Sequence, residues 1–508
     1  MDAGTSPFFG NFVSLRWLSL ALIWVVGACF LAGKAHAAPL SASDSLVSQV
    51  AIDSTPSVDA PDVAAWQAAW ENYQLDFSHS NLDSLFRIGE RLRRARLRQM
   101  LPEFEVLPDS LQRAEQRWWQ STTRAEAASD DPFLTALRRR YPRYYDLKYR
   151  PEVSGLSDVQ QRIPFGATAL SYLFIEGNGY LVRIDKTSAQ AYALADATAV
   201  ARLVAAFQRA LQTDDVTAYV AAAAQLYQTL IGQFDITLHE HLLVFPDGPL
   251  QTLPFEALLP SSPATAPGFA SLPYLVRNQA VSYHWSGTSY IETLRNAPLE
   301  GGVPLLSFAP PTAQPGATDR VQMAQQALEG QILTGHDATE SAFWREADSA
   351  QVIYYAPLID TTTLAQWFVH PLQPRLLVLE QAVASVWPQL TQALLYHGGK
   401  NLLVYRGPAA PAADGAFLRI FLAGLQEDRP MLEALHQAQL AALADPTLAS
   451  PRQWSGWMLV GDPRLALHSG LQPRQWIAWG LGILLGTGFL IGIRRYWVRQ
   501  FKRRYGTD

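Results

Sequence analysis

This chain of 508 residues contains one cysteine and ten histidines, so it offers little for thiol–imidazole chemistry. The only thiol, Cys29, lies in an apolar run close to the N-terminus. Further along, Ser385 lies between His370 and His397. A serine within hydrogen-bond reach of an imidazole can act as a nucleophile, so a Ser–His hydrolase is one hypothesis for function.

A second candidate for chemistry is the pair His239 and His241, which are separated by one residue. Two imidazoles at this spacing could share a metal ion, but no carboxylate–histidine pattern with metal-ligand spacing accompanies them. We therefore expect a structural role for both histidines, and we expect neither a metal site nor a cofactor.

The N-terminal segment has the features of a secretory signal. A basic flank precedes the apolar run "WLSLALIWVVGACFLAG", and the small-x-small triplet Ala35-His36-Ala37 follows it. This pattern predicts a signal peptide over residues 1–37 with cleavage between Ala37 and Ala38. An uncleaved membrane anchor and a lipoprotein acylated at Cys29 remain as alternatives. Cleavage would leave the mature chain without any cysteine.

The C-terminal segment "WIAWGLGILLGTGFLIGI" is apolar and uncharged, and six basic residues follow it within eleven positions. Its length and flanking aromatic residues predict a transmembrane helix over residues 474–497. The basic tail, residues 498–508, should stay in the cytoplasm, which places the body of the protein outside it. Gly482 and Gly486 form a small-xxx-small pair that could support a homodimer.

Composition sets the organisation between these two ends. Hydrophobic residues make up 49% of the chain and the net charge is −5, which favours a sizeable core and gives no nucleic-acid signature. We predict a linker over residues 38–61 and a helical region over residues 62–150, with its arginines on a solvated helix face. From residue 151 to 470, apolar runs alternate with helical patterns, which predicts an α/β domain with a mainly parallel sheet flanked by helices. Within it, Gly177-Asn178-Gly179 predicts a hairpin turn.

One stretch of this domain, "LLVFPDGPLQTLPFEALL", combines a buried strand with a tight turn. Pro246-Asp247-Gly248 predicts the turn, with positive φ at Gly248 and with the Asp247 side chain bonded to backbone amides two residues further on. Pro254 and Phe255 should then set the direction of the next segment and bury an aromatic ring.

This stretch closely resembles the hallmark segment of CHAT domains, which are caspase-like domains. Further segments resemble the family in the same order, among them "LSDVQQRIPFGATALSYLFIEGNGYLVRI", "ILTGHDATESAFW" and the closing "WSGWMLVGDP". The resemblance extends over residues from about 100 to 468. It implies a caspase-like fold and, as the family's activity, a cysteine endopeptidase with a His–Cys dyad.

The same resemblance implies that this dyad is missing. The family histidine falls at Leu358 and the family cysteine at Ala382, and no cysteine exists downstream of Cys29. Leucine and alanine can neither transfer a proton nor attack a carbonyl carbon. We therefore expect a membrane-tethered pseudopeptidase of a bacterial envelope that acts through protein or peptide partners. A hydrolase with a non-cysteine nucleophile is the alternative.

Overall fold

The computed structural model describes residues 60–100, 131–140, 152–263, 268–297, 301–360, 372–382, 387–406 and 415–467, with a few shorter stretches besides. Cys29, Ala37, Ala38, Gly482 and Gly486 lie outside the described residues, so the predictions made for them stay predictions. Within the described ranges, no helix combines the length and the apolar character needed to cross a bilayer.

The framework of the described chain is an eleven-stranded sheet with the strand order β3-β2-β1-β4-β5-β11-β10-β9-β8-β6-β7. The strands are β1 (Ala167–Ile175), β2 (Asn178–Asp185), β3 (Ala189–Ala193), β4 (His241–Phe245), β5 (Ala280–Tyr283), β6 (Val303–Ala309), β7 (Gln331–Thr334), β8 (Ala350–Ile359), β9 (Leu376–Ala382), β10 (Asn401–Tyr405) and β11 (Trp457–Gly461).

Helices connect most of these strands and pack on the sheet. In chain order they are α1 (Ala60–Leu75), α2 (His79–Met100), α3 (Pro132–Arg140), α4 (Leu156–Arg162), α5 (Ala197–Gln212), α6 (Val216–Tyr227), α7 (Gly287–Arg295), α8 (Ala317–Leu328), α9 (Glu340–Ala347), α10 (Trp387–His397), α11 (Ala416–Gln426), α12 (Met431–Ala444) and α13 (Pro451–Trp454). The prediction of a mixed α/β fold with a central sheet flanked by helices is confirmed.

Seven of the ten strand pairings in this sheet are parallel. The antiparallel β10–β11 pair divides the sheet into two groups. In the first half, β1, β4, β5 and β11 run in one direction; in the second half, β10, β9, β8, β6 and β7 run in the opposite one. In the first half, the carboxyl ends of the parallel strands therefore lie on one side of the sheet. In the second half, they lie on the opposite side, next to the amino ends of the first-half strands.

Strand β1 shows why the strand sequences read as continuous apolar runs. Tyr172 and Phe174 belong to the core on one face, whereas Leu173 and Ile175 belong to the core on the other face. A strand that is covered on both faces needs apolar residues at odd and even positions alike.

The hairpin after β1 corrects one prediction. The turn consists of Glu176 and Gly177, both with positive φ, and Asn178 already pairs with Ile175 as the first residue of β2. Gly179 is a strand residue and not a turn residue. A side chain there would meet the carbonyl oxygen of Ala195 at 2.7 Å, which explains the second glycine.

The arginines of α2 correct another prediction, because three of them are not on a solvated face. Arg93, Arg94 and Arg96 are buried against the rest of the fold, whereas Arg91 on the same helix is exposed. Long aliphatic stems let an arginine cross apolar surface and bring its guanidinium to polar partners on the far side. Those partners are backbone carbonyls and a carboxylate beside the first half of the sheet, as described below.

Candidate functional site

Leu358 and Ala382 are the positions at which the sequence resemblance places the missing dyad. They lie near the carboxyl ends of the neighbouring strands β8 and β9. Leu358 pairs with Gln381, and Ile359 pairs with Ala382, at the carboxyl ends of β8 and β9. A register irregularity between Tyr355 and Leu358 precedes the pairing. The Leu358 side chain is 48% exposed. Ligands of parallel sheets commonly bind at carboxyl strand ends, so this edge is where chemistry would be expected.

Directly below this edge, a fully buried ion pair joins α8 to β9. The Arg320 guanidinium donates through Nε to Glu380 Oε1 and through Nη2 to Oε2, both at 2.7 Å. The Tyr354 hydroxyl also donates to Glu380 Oε1, at 2.8 Å. Burial and the neighbouring carboxylate raise the pKa of Tyr354 well above its ordinary value. Both carboxylate oxygens of Glu380 therefore have partners, and these bonds hold its side chain in one position.

An aromatic cluster lies beside the same strand end. Tyr355 contacts Trp367, with ring centroids 5.1 Å apart, and Trp367 in turn contacts Trp344. His370 stacks on Trp344 with ring centroids 4.2 Å apart and an interplanar angle of 9°. Desolvation lowers the pKa of His370, which favours the neutral ring. The candidate base of the Ser–His hypothesis is thus held by stacking.

The other members of that hypothesis are less informative. Ser385 lies outside the described residues. His397 is buried in the last turn of α10. The Ser–His hydrolase therefore stays a prediction.

At the carboxyl end of β4, by contrast, the Pro246-Asp247-Gly248 turn is tightly bound by charge. Arg96 Nη1 donates to both oxygens of Asp247, at 2.9 and 2.7 Å, and its Nη2 donates to the carbonyl oxygen of Phe174 at 2.6 Å. The Phe174 amide donates to Asp247 Oδ2 at 2.7 Å. The positive φ expected at Gly248 is present, at +51°.

The expected role of the Asp247 side chain is wrong. The residue two positions on is Pro249, which has no N–H to donate, so the carboxylate bonds Arg96 and the Phe174 amide instead. Burial alone would raise the pKa of Asp247, but the charges of Arg96 and Arg93 and the Phe174 amide outweigh burial and lower it. Asp247 is therefore a structural anion.

Arg93, one turn before Arg96, bonds to carbonyl oxygens within β1, at the end of β4 and just after β5. Its guanidinium donates to the carbonyl oxygen of Trp285 at 2.7 Å, and also to the carbonyl oxygens of Tyr172 and Phe245. Burial lowers its pKa. Helix α2 thus covers the carboxyl ends of β1, β4 and β5.

The segment after the turn reaches the second half of the sheet through a buried polar cluster. The amide of Phe255 donates to the Tyr283 hydroxyl at 2.8 Å, and that hydroxyl donates to Glu256 Oε2. Arg406, which directly follows β10, places its guanidinium 5.0 Å from the centre of the Tyr283 ring and donates to the carbonyl oxygen of Gln251 at 3.1 Å. Pro254 and Phe255 are buried, as expected of a segment that sets direction.

Two groups of this cluster are incompletely bonded. Among the described residues, Glu256 Oε1 and the Nε and Nη2 atoms of Arg406 have no hydrogen-bond partner although all three are buried. Burial raises the pKa of Glu256 to about 7, against the opposing charge of Arg406. Sequence reasoning missed this carboxyl group, since "PFEALL" reads only as an acidic residue in a helical start.

The paired histidines are bonded separately to hydroxyl groups. His239 Nδ1 lies 2.8 Å from Thr168 Oγ1, and His241 Nε2 lies 2.9 Å from Ser282 Oγ. Burial lowers the pKa of His241 to about 4, which keeps its ring neutral. In the part of the chain that the structure describes, no group of three or more histidine, cysteine or acidic residues is placed to hold a metal ion.

The fold and its strand-end site define an α/β domain of the kind that the sequence resemblance indicated. Residues 220–380 and 380–462 match the family model of the CHAT domain. Residues 220–462 therefore form the CHAT domain that the sequence resemblance predicted. The sheet starts earlier, with β1, so the first half includes strands that precede the family match.

Comparison with solved structures finds two crystal structures of the Saccharomyces cerevisiae separase–securin complex. One has a TM-score of 0.47 and 9% sequence identity, and the similarity covers 83% of this chain and 37% of the other. The second has a TM-score of 0.39 and 8% identity, over 79% and 37% of the two chains. The present chain thus spans well under half the length of either. A search of curated proteins finds no match.

Proposed function

We propose that this chain is a catalytically inactive CHAT-domain protein, tethered to a bacterial envelope membrane, that acts by binding a protein or peptide partner. The observation that carries the proposal is the pairing of β8 with β9. Leu358 pairs with Gln381 and Ile359 pairs with Ala382, so Leu358 and Ala382 lie one residue apart in register at the carboxyl ends of neighbouring strands. By the sequence resemblance, these are the positions at which the family carries an imidazole and a thiol, and this chain has a leucine and an alanine there.

The surroundings of this edge support the same proposal. Tyr354 and Glu380, which precede the two positions on their strands, are fully buried and bonded to each other and to Arg320. These contacts hold the carboxyl ends of β8 and β9 in place, which supports a binding role for this part of the sheet.

Membrane tethering is proposed from the sequence. The uncharged apolar segment over residues 476–493 and its basic C-terminal flank are typical of a bitopic protein with its tail in the cytoplasm. The signal-like N-terminus is consistent with a body on the periplasmic side. Alkaline extraction of bacterial membranes, followed by protease treatment of spheroplasts, tests this arrangement. Release by alkali, or protection of the body from protease, would contradict it.

The catalytic part of the proposal is tested with the full-length protein and a fluorophosphonate probe, which reacts with activated serines. We expect no labelling above that of heat-denatured protein. The matched controls are Ser385→Ala and His370→Ala. Labelling of the wild type that disappears in both variants would establish the Ser–His hydrolase instead.

A further inference from the structure

The two outermost strands of the eleven-stranded sheet, β3 and β7, differ in whether other residues bond to their outer side. Strand β3 forms one edge, and the amide of Ala191 in its centre donates to the hydroxyl of Tyr73, a residue of α1, at 3.2 Å. Strand β7 forms the other edge and pairs with β6. Within the described residues, the backbone of β7 makes no hydrogen bond on its outer side. One edge is thus covered and the other is open.

The sequence of β7 does not protect this open edge. Natural edge strands are commonly blunted by very short length, a lysine, a proline, a bulge or a covering element. With four residues β7 is short, so it offers a short ladder, but the other devices are absent from its sequence. The strand Gln331–Thr334 contains no charge and no proline, and its register with β6 is regular. Ile332 and Leu333 pack partly against the main core, so the strand is held in a fixed position. A fixed, uncharged edge with unused N–H and C=O groups is a template for an added strand.

The charge around β7 is acidic. Residues 329–348 contain five carboxylates and one arginine, Arg345, which pairs with the neighbouring Glu346. Glu329 precedes the strand, and Asp337 and Glu340 follow it within six residues. Asp337 and Glu340 are exposed. An added segment would therefore meet negative charge at both of its ends.

We propose that β7 is the docking edge for an extended basic segment of a partner protein, which adds to the sheet as a twelfth strand. This proposal rests on the proposed binding function and names the surface and the chemical class of the partner. A second copy of this chain is a poorer occupant. In a twofold arrangement, the Glu329 end of one strand would face the Asp337 end of the other, so like charges would meet.

The test uses the full-length protein in detergent and labelled decapeptides as probes. The first probe alternates lysine and valine, the second replaces each lysine by glutamate, and the third is the basic peptide N-methylated at alternate residues. We expect the basic peptide to bind with a salt-dependent affinity. The acidic peptide should not bind, and N-methylation along one edge should weaken binding at least tenfold because it removes the ladder hydrogen bonds.

A pair of variants locates the site. Gln331→Lys combined with Thr334→Lys adds positive charge to β7 and should weaken binding of the basic peptide at least tenfold. Gln190→Lys, on the exposed part of β3, is the matched control and should leave binding unchanged.

Four results would overturn the proposal. They are no binding of the basic peptide, binding that N-methylation does not affect, binding that persists in the β7 variant, and a dimer that the β7 variant dissociates. The last result would assign the edge to a second copy of the chain. None of them bears on hydrolysis, so the docking edge and the catalytic part of the proposed function fail independently.

Discussion

The carboxyl end of β4 and the carboxyl ends of β8 and β9 belong to one sheet but carry different side chains. At β4, Asp247 is bonded to Arg96, and Arg93 occupies the adjacent strand carbonyls. At β8 and β9, the strand ends carry Leu358 and Ala382. Helix α2, which precedes the family match, covers the end of β4, whereas the end of β8 carries a half-exposed leucine, Leu358.

The two regions differ in how strongly the fold constrains their side chains. The polar groups that bind the Pro-Asp-Gly turn are buried and have partners, so losing one leaves an uncompensated charge. The positions of the family dyad have no such constraint, because apolar residues at a strand end leave nothing unpaired. A leucine and an alanine at these strand ends are therefore compatible with an intact sheet.

Arg96 is the residue whose replacement should cost the most stability. Arg96→Ala leaves Asp247 as a buried, unpaired carboxylate and should lower the free energy of unfolding by about 3–5 kcal/mol. Urea denaturation monitored by circular dichroism measures the loss. Arg91→Ala, at an exposed position of the same helix, is the control and should change stability by less than about 0.5 kcal/mol. Equal stability of the two variants would show that α2 does not fasten the turn.

Glu256 tests the buried cluster between the halves. Its pKa of about 7 in the folded protein lies above the ordinary value of 4.5. The folded state therefore retains a proton that the unfolded state has lost, and this group makes stability fall as pH rises from 4.5 to 7. A difference of this size corresponds to about 3 kcal/mol.

Glu256→Gln removes this dependence. Relative to wild type, the variant should gain unfolding free energy between pH 4.5 and pH 8, by about 3 kcal/mol. Chemical denaturation at both pH values measures the change. The exposed Glu240→Gln serves as control and should follow the wild type. If the stability difference between Glu256→Gln and wild type is constant with pH, the carboxyl group is not the buried acid described.

Tyr354 tests the buried network near the carboxyl ends of β8 and β9. Tyr354→Phe removes one hydrogen bond to the Glu380 carboxylate and keeps the Arg320 pair, so we expect a loss of about 1.5 kcal/mol. Tyr355→Phe is the neighbouring control, since the described contacts of that residue are ring contacts and include no hydrogen bond from its hydroxyl. Thermal unfolding should rank the two variants in this order. The reverse order would argue against the buried network.

Leu358 should give the smallest effect. Its side chain is half exposed, so Leu358→Ala is expected to change the free energy of unfolding by less than about 0.5 kcal/mol. The same denaturation assay measures it beside Arg96→Ala. A loss of several kcal/mol would mean that Leu358 was retained for packing, and the contrast between the two edges would weaken.

The strands and helices of the second half follow from local sequence patterns. Short apolar runs between helical stretches predict parallel strands, and each of these signals lies within one segment of the chain. The antiparallel junction of β10 with β11 could not be predicted, because pairing order depends on contacts between distant segments. The same holds for the open outer side of β7.

The charged anchors were harder to predict than the strands. The arginines of α2 resemble a solvated face because acidic residues are interleaved with them, and their partners lie up to about 190 residues away along the chain. Glu90 is one of those acidic residues, and it binds the amides of Gly287 and Thr288 at the start of α7. One error was avoidable. Pro249 has no N–H, so the sequence alone already excluded a hydrogen bond from the residue two positions after Asp247.

We propose that the strand ends with Leu358 and Ala382 do not catalyse hydrolysis, and a peptide-cleavage assay is the direct test. The full-length protein in detergent is incubated with a diverse peptide mixture, and new termini are identified by mass spectrometry. We expect no cleavage beyond that of heat-denatured protein. Cleavage at a defined sequence that is lost in Ser385→Ala or His370→Ala would contradict it.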